Sequence, residues 1–208
     1  LGQTVAAALR VPFTQTSHQE GHIAAAALGS SIDFSKPFVC AHLSGGTLEL
    51  VLAKDGRLSV SAATKDISYG QLLDRFGVAQ GFPFPAGKYI DEAAMEYDPK
   101  GLKNPFSRIK TDSKGMNLSG LETQLKTKTE GLDQNACACF LMERIAESFV
   151  AVSEAVLKDT GARQMLITGG VAASRFLRAY CAKKHSDWIF GQPSLCSDNA
   201  VGPSLLQG

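Results

Sequence analysis

The spacing of apolar residues divides the 208-residue chain into strand-like and helical segments. Three short apolar segments with strand character, Phe38–Leu43, Leu48–Ala53 and Leu58–Ala63, follow one another closely. Gly45-Gly46 and Asp55-Gly56 separate them, and such glycine pairs are typical of hairpin turns. The pattern therefore predicts a three-stranded β-meander.

Helical spacing predicts most of the remaining elements. The longest is Asp133–Lys158, in which apolar residues recur every three or four positions and form one stripe for packing against a sheet. Residues 98–120 are mostly basic and contain proline and serine, which predicts a loop or hairpin, either solvated or in contact with RNA. The other helices are expected over Thr4–Arg10, His18–Leu28, Ile67–Val78, Gly87–Tyr97, Val171–Lys184 and Asn199–Leu206.

The C-terminal part alternates helices with short apolar strands. Gln164–Thr168 is typical of a buried parallel strand, and Trp188–Phe190 predicts a second one. Helices joined to such strands by short links indicate a doubly wound, parallel α/β fold.

Composition limits the class of protein. Apolar residues make up 44% of the chain and charged residues 20%, which is ordinary for a globular protein, and the net charge of +1 makes any RNA contact a local patch. Five cysteines without a Cys-x-x-Cys pair argue against a disulfide framework or structural zinc and favour the cytoplasm. No apolar segment approaches the ~20 residues of a membrane helix, so no membrane association is expected. The chain begins at Leu1 inside an apolar segment, so we expect it to be a fragment.

A histidine pair is the first candidate for chemistry. His18 and His22 are four residues apart on a predicted helix, so their imidazoles face the same side and are within reach of one metal ion. They also suit two partly exposed, hydrogen-bonded histidines. Glu20 lies about 200° around the helix from the first histidine, unlike the catalytic glutamate of zinc peptidases.

Two glycine turns and one acidic segment complete the candidates. Ser44-Gly45-Gly46 suits either a phosphate contact or a plain hairpin turn. Gly169-Gly170 joins a strand to a helix and suits either an anion site or a tight turn. Asp198 lies at the start of the last predicted helix, as either an N-cap or a third metal ligand.

The order of these motifs resembles that of the TsaD-type tRNA threonylcarbamoyl-adenosine transferases, formerly called glycoproteases, over essentially the whole chain. The family's opening strand, with its Asp-Thr-Ser motif, is absent from this sequence. The motifs are His18-Gln19-Glu20-Gly21-His22, Ser44-Gly45-Gly46, Asp74, Gly87, Ser119-Gly120-Leu121, Gly169-Gly170-Val171-Ala172-Ala173 and Cys196-Ser197-Asp198-Asn199.

The resemblance implies a two-lobed actin- and sugar-kinase-like fold that lacks part of its N-terminal lobe. Residues 1–65 would be the remainder of that lobe, 66–160 a helical substrate-binding part, and 161–208 an α/β part that returns to the metal site. One divalent ion, iron or zinc, would be held by His18, His22 and Asp198. The binding site of an adenylate-type nucleotide would be lined by His42, Leu43, Ser44, Gly45, Gly46, Asp74, Gly87, Asp91 and Ser174.

The implied reaction transfers a threonylcarbamoyl group from threonylcarbamoyl-adenylate to the adenosine next to the anticodon of tRNA, together with the family's partner proteins. Three departures favour a divergent member: Ser174 replaces an asparagine, Thr47 a histidine and Glu122 a lysine. Ile67 and Gln71 also replace acidic residues, whereas Asp66 and Asp74 remain. The alternatives are a catalytically impaired, nucleotide-binding paralogue that acts as a regulatory partner, and a metallopeptidase.

Overall fold

The structure is a computed structural model and describes residues 1–196 and 201–206. The helices are α1 (Gly2–Leu9), α2 (His18–Ala27), α3 (Tyr69–Ala79), α4 (Gly87–Glu96), α5 (Ser119–Thr127), α6 (Gln134–Thr160), α7 (Arg175–Lys184) and α8 (Val201–Leu205). The strands are β1 (Phe38–Leu43), β2 (Leu48–Lys54), β3 (Arg57–Thr64), β4 (Thr111–Asp112), β5 (Gly115–Met116), β6 (Gln164–Thr168) and β7 (Ile189–Phe190).

All seven strands belong to one sheet, in the order β4-β5-β3-β2-β1-β6-β7. The β-meander is confirmed, since β1 and β2, and β2 and β3, pair antiparallel. The expectation of a parallel sheet was only partly correct, because β6 and β7 pair parallel beside β1 while the hairpin turns force the meander strands to alternate. The sheet is therefore mixed. Because it joins strands from residues 38 to 190, the three-part division of the chain stays a prediction.

Four neighbouring or nearby strands, β1, β3, β5 and β6, end at the same edge of the sheet. β1 and β3 run in the same direction because each is antiparallel to β2, and β6 and β5 are parallel to β1 and β3 respectively. The strands therefore end at a common edge, which we call the carboxyl edge. Its strand ends are Leu43, Thr64, Met116 and Thr168. Ligands of open α/β sheets bind at such an edge.

The two faces of the sheet carry separate hydrophobic layers. The larger core includes Val39 and Ala41 of β1 and the stripe predicted for α6, whose members Leu141, Ile145, Phe149, Val152 and Val156 are fully buried. On the other face, Ile23 and Ala26 of α2 pack with Phe38 and Cys40. Since side chains alternate along a strand, His42 shares the face of Phe38 and Cys40 and is directed to α2.

The structure bears out one local expectation and differs from two others. Residues 98–120, expected as a loop or hairpin, include a short hairpin, β4–β5, that extends the sheet. Helix α5 was not predicted, although Leu121 and Leu125 are four residues apart and both buried. The helix expected over 171–184 is divided at Ser174 into a 3-10 turn, Gly170–Ala173, and α7.

The cysteines and the helices bear on two further properties of the chain. All five cysteines are free and buried, as expected for a chain without disulfides. In residues 1–196 and 201–206, no helix has the length and apolar character needed to cross a membrane.

Candidate functional site

Helix α2 begins at a capping box that fixes the histidine pair. The Ser17 hydroxyl accepts a hydrogen bond from the Glu20 backbone N–H at 3.2 Å, and the Glu20 carboxylate accepts one from the Ser17 N–H at 2.6 Å. The bond from the Ser17 N–H, together with one from the Ser17 hydroxyl to the carboxylate, lowers the pKa of Glu20. Glu20, which lies between the two histidines in the sequence, therefore stabilises the start of α2 and is not placed as a catalytic base.

The two predicted metal-ligating imidazoles meet. The Nε2 atoms of His18 and His22 are 3.2 Å apart. His22 is buried, with only 6% of its surface exposed. The i, i+4 spacing on α2 brings the rings onto one face, as the sequence predicts.

A third imidazole lies beside this pair. The ring of His42, near the end of β1, is centred 4.3 Å from that of His22 and 6.3 Å from that of His18. The sequence comparison placed His42 at a nucleotide site, whereas the structure places it with the histidines. We call His18, His22 and His42 the imidazole cluster.

A carboxylate that sequence reasoning missed stands next to the cluster. Glu49 of β2 is the cross-strand partner of His42, so both side chains emerge on the α2 face. Its carboxylate accepts a hydrogen bond of 2.8 Å from the Gln19 side-chain amide, which ties α2 to the meander. The hairpin turn at Gly45-Gly46 fixes which residues of β1 and β2 lie opposite each other. This turn was the sequence signal from which the position of Glu49 opposite His42 could have been found.

The last helix packs directly on α2. A methyl group at Gly202 would overlap the Gly21 carbonyl oxygen, and one at Gly21 would lie 3.2 Å from the Pro203 ring. Glycines at both positions thus permit close contact between the backbones of α8 and α2. Asp198, the predicted third ligand, lies outside the described residues. Within the described ranges, no group of three or more His, Cys, Asp or Glu side chains is placed to hold a metal ion.

A cavity of about 640 Å³ opens at the carboxyl edge beside the turn after β1. Five of the predicted nucleotide-site residues line it: Gly45, Asp74, Gly87, Asp91 and Ser174. Its walls are partly apolar, from Leu73, Pro85, Tyr89, Met142 and Val171. Lys88 and Arg175 supply positive charge, and Glu92, 3.8 Å from Lys88, supplies a further negative charge.

The two aspartates of the cavity are hydrogen-bonded to helix starts. An Asp74 carboxylate oxygen accepts a bond of 2.8 Å from the Ala86 N–H, immediately before α4. Asp91 accepts bonds from the N–H groups of Arg175 and Phe176 at 2.9 and 3.1 Å, and from the Ser174 hydroxyl. Ser174, itself the N-cap of α7, is held against Asp91 rather than directed into open space.

The other predicted residues of the strand end have structural contacts. The Leu43 side chain is fully buried in the larger core, and the Ser44 hydroxyl accepts a bond of 2.9 Å from the Thr47 N–H within the turn. The Gly45 carbonyl accepts a bond of 2.5 Å from the Ser68 hydroxyl at the start of α3, while Gly46 is exposed. A side chain at Gly70 would overlap the Gly45 backbone. The hairpin turn is therefore held tightly against α3.

The sequence matches the family model of tRNA N6-adenosine threonylcarbamoyltransferase, TsaD, over residues 1–204. It is 32% identical over 212 residues to the tRNA N6-adenosine threonylcarbamoyltransferase of Geotalea uraniireducens, with 96% of this chain and 61% of the relative covered. The corresponding protein of Neorickettsia sennetsu is 30% identical, with 97% of this chain and 64% of the relative covered. The chain thus spans about three fifths of the length of these relatives.

Solved structures with low sequence identity share the fold. HypF from T. kodakarensis superposes with a TM-score of 0.74 at 13% identity, over 98% of this chain and 37% of HypF. The (R)-2-hydroxyglutaryl-CoA dehydratase component A of Acidaminococcus fermentans gives a TM-score of 0.60 at 12% identity, over 99% of this chain and 72% of that protein. The actin- and sugar-kinase-like α/β fold class is confirmed. By its match over nearly all its length, this chain belongs to the TsaD family of tRNA N6-adenosine threonylcarbamoyltransferases.

Proposed function

We propose that the protein transfers a threonylcarbamoyl group from threonylcarbamoyl-adenylate to the adenosine next to the anticodon of tRNA, in a metal-dependent reaction. One observation carries this proposal. The imidazole cluster and the glycine-lined cavity adjoin the same strand end, with His42 within β1 and Gly45 in the turn directly after it. A cation site and an adenylate site would then be neighbours at the carboxyl edge.

The donor atoms fit a metal ion of the iron or zinc type. Two nitrogens bound to zinc in a tetrahedron at about 2.0–2.1 Å lie about 3.3 Å apart, and the Nε2 atoms of His18 and His22 are 3.2 Å apart. The same distance suits a hydrogen bond between two neutral imidazoles, so metal content decides between the two. We propose Asp198 as the carboxylate ligand, since it precedes by four residues the glycine that contacts the histidine helix.

The bound ion would act as a Lewis acid that polarises oxygens of the mixed anhydride. The residues of this chain would bind and orient the two substrates. The apolar walls from Leu73, Val171 and Tyr89 suit an adenine ring, and Arg175 and Lys88 suit its phosphate. Backbone amides at the Gly45 and Gly170 turns can approach phosphate oxygens without side-chain obstruction.

In this reaction the adenosine amino nitrogen attacks the carbamoyl carbon. A C–N bond forms, and the bond between the carbamoyl carbon and the phosphate oxygen breaks. AMP leaves, and the amino group releases one proton to solvent. Transfer needs no covalent enzyme intermediate, so the protein contributes mainly by holding acceptor and donor together and stabilising the leaving phosphate. We place the reaction in the cytoplasm, and include the family's partner proteins as participants.

Transfer to tRNA tests this function. The chain, the family's partner proteins, threonylcarbamoyl-adenylate and tRNA are incubated together, and modified adenosine is measured. We expect modification with the wild type and with His185→Ala, and none with His22→Ala. His185 is a suitable control because it lies outside the cluster, paired with Glu154 at 2.8 Å. Absence of modification with the wild-type chain would contradict the proposal.

A regulatory, nucleotide-binding role is the second candidate. Its basis is the bond between Ser174 and Asp91, which commits these two polar side chains of the cavity to the start of α7. AMP binding without any transfer, unchanged in Ser174→Asn, would favour this role. A metallopeptidase gains no support, because Glu20 caps α2; peptide cleavage that His18→Ala abolishes would restore that alternative.

A further inference from the structure

A second cavity, of about 510 Å³, lies along the carboxyl edge beyond β3. The β4–β5 hairpin and the first turn of α5 form its walls, with Ser107, Thr111, Asn117, Ser119 and Gln124 as polar side chains. Three basic side chains and one acidic side chain line it: Lys65, Arg108, Lys110 and Asp112. We call the surface formed by Lys65, Arg108 and Lys110 the basic groove.

The segment around this groove is more positively charged than the chain as a whole. Residues 98–128 contain seven lysines and arginines against three acidic residues, a net charge of +4. Because the chain as a whole is +1, the other residues together are −3. Positive charge is thus concentrated in the segment that forms most of the groove, a pattern expected where a polyanion binds.

The basic side chains are available to a ligand. Lys110 is exposed and makes no ion pair with the part of the chain that the structure describes. Lys65 is 3.6 Å from Asp112, and Arg108 is 3.6 Å from Glu147, with side-chain exposures of 49% and 81% for the two basic residues. Because the basic partner of each pair is exposed, such pairs contribute little stability, so a phosphate can replace the carboxylate partner at small cost.

The groove is connected to the proposed reaction site through rigid contacts. The Ser68 hydroxyl binds the Gly45 carbonyl, and the Asp66 carboxylate binds the N–H groups of Leu118 and Ser119 at the edge of the groove. In the sheet, β5 is three strand positions from β1, or about 14 Å at the usual strand spacing. A nucleotide at the end of β1 and its neighbours along an RNA strand can therefore contact both places.

We propose that the basic groove binds phosphates of the tRNA next to the acceptor adenosine. The inference rests on the proposed function, since it assigns a binding surface to that function's macromolecular substrate. Phosphate contacts of this type position a nucleic acid without reading its sequence. The groove would hold the anticodon loop in register while the adenosine enters the site beside Gly45.

The test compares two variants with equal loss of charge. Lys65→Ala/Arg108→Ala/Lys110→Ala removes the groove, whereas Lys36→Ala/Lys54→Ala/Arg57→Ala removes three exposed basic residues at the opposite edge of the sheet. The dissociation constant for tRNA is measured over a range of salt concentrations, and AMP binding is measured in parallel.

We expect the groove variant to bind tRNA at least about tenfold more weakly at low salt, with a slope of log K against log salt that is smaller by about two to three. The control and AMP binding should be unchanged. Equal tRNA binding by both variants would overturn the groove assignment and leave the proposed function standing. A wild-type chain that binds AMP but no tRNA would contradict both.

Discussion

Gly202 of α8 lies against the backbone of Gly21 in α2, so closely that a methyl group at Gly202 would overlap the Gly21 carbonyl oxygen. Gly21 stands between Glu20 and His22, within the helix that presents the imidazole pair. Glycine destabilises a helix interior by roughly 1 kcal/mol relative to alanine. The contact explains why glycine occupies this helical position, and it brings the C-terminal helix to the proposed metal site.

Gly202→Ala should weaken metal binding by separating α8 from α2. The main sheet and α6 do not depend on this contact, so the thermal unfolding midpoint should fall by only a few degrees. Gly120→Ala is the matched control, since a methyl group there would meet no atom within 4 Å. Metal titration and thermal unfolding of both variants check this. Undiminished metal affinity in Gly202→Ala would show that the contact is unrelated to the site.

Gly70→Ala should disrupt the cavity. A methyl group at Gly70 would overlap the Gly45 backbone, so either α3 or the turn after β1 must shift. Such overpacking typically costs 1–3 kcal/mol of the free energy of unfolding, so about that range is expected here. AMP binding should weaken at least about tenfold, as measured by titration calorimetry. If AMP affinity were retained while stability fell, the ligand would have to bind elsewhere.

Asp91 should contribute more stability than Ser174. Asp91 is 7% exposed and accepts hydrogen bonds from two backbone N–H groups at the start of α7 as well as from the Ser174 hydroxyl. Ser174→Ala removes one helix cap, worth about 1 kcal/mol. Asp91→Ala leaves several buried donors without partners and should cost about 2–3 kcal/mol. Urea unfolding measures both, and an equal cost would contradict the assigned roles.

Asp66 should make stability depend on pH in the acid range. Partial burial raises its pKa, but hydrogen bonds from the N–H groups of Leu118 and Ser119, the Ser119 hydroxyl and the Ile67 N–H outweigh this and lower the pKa to about 2. Because the folded-state pKa lies below the unfolded value of about 3.9, the stabilisation is fully present above pH 4. It is lost as the pH falls from about 4 to about 2.

Asp66→Asn keeps a side-chain acceptor but cannot titrate. Its unfolding midpoint should therefore change less between pH 4 and pH 2 than that of the wild type. Asp55→Asn, in the exposed turn between β2 and β3, is the control and should follow the wild-type curve. Parallel curves for all three proteins would show that the Asp66 hydrogen bonds contribute no pH-dependent stability.

Short sequence patterns predicted those parts of the structure that depend on residues close together in the chain. Glycine turns specify the meander, and the four-residue spacing of His18 and His22 specifies their common face. The contact of His42 with His22 could not be predicted in this way, because it depends on how α2 packs on β1. The bond from Asp91 to the start of α7 joins residues more than 80 positions apart, which no local pattern encodes.

The β4–β5 hairpin was predicted only as an alternative to a loop, and α5 was missed. Strands β4 and β5 are two residues long and lack an alternating apolar pattern, so only the pairing of β5 with β3 and of β4 with β5 makes them strands. Helix α5 carried a readable signal in Leu121 and Leu125, but the polar residues around them obscured it. The α5 start is then stabilised from a distance by Asp66, a tertiary contact.

The metal content of the purified protein tests the central claim most directly. Elemental analysis compares the wild type with His22→Ala, Asp198→Ala and the control His185→Ala. We expect about one equivalent of iron or zinc in the wild type and in the control, and a small fraction of it in the other two variants. A wild-type protein without metal, or an Asp198→Ala variant with undiminished metal, would contradict a site formed by two imidazoles and this carboxylate.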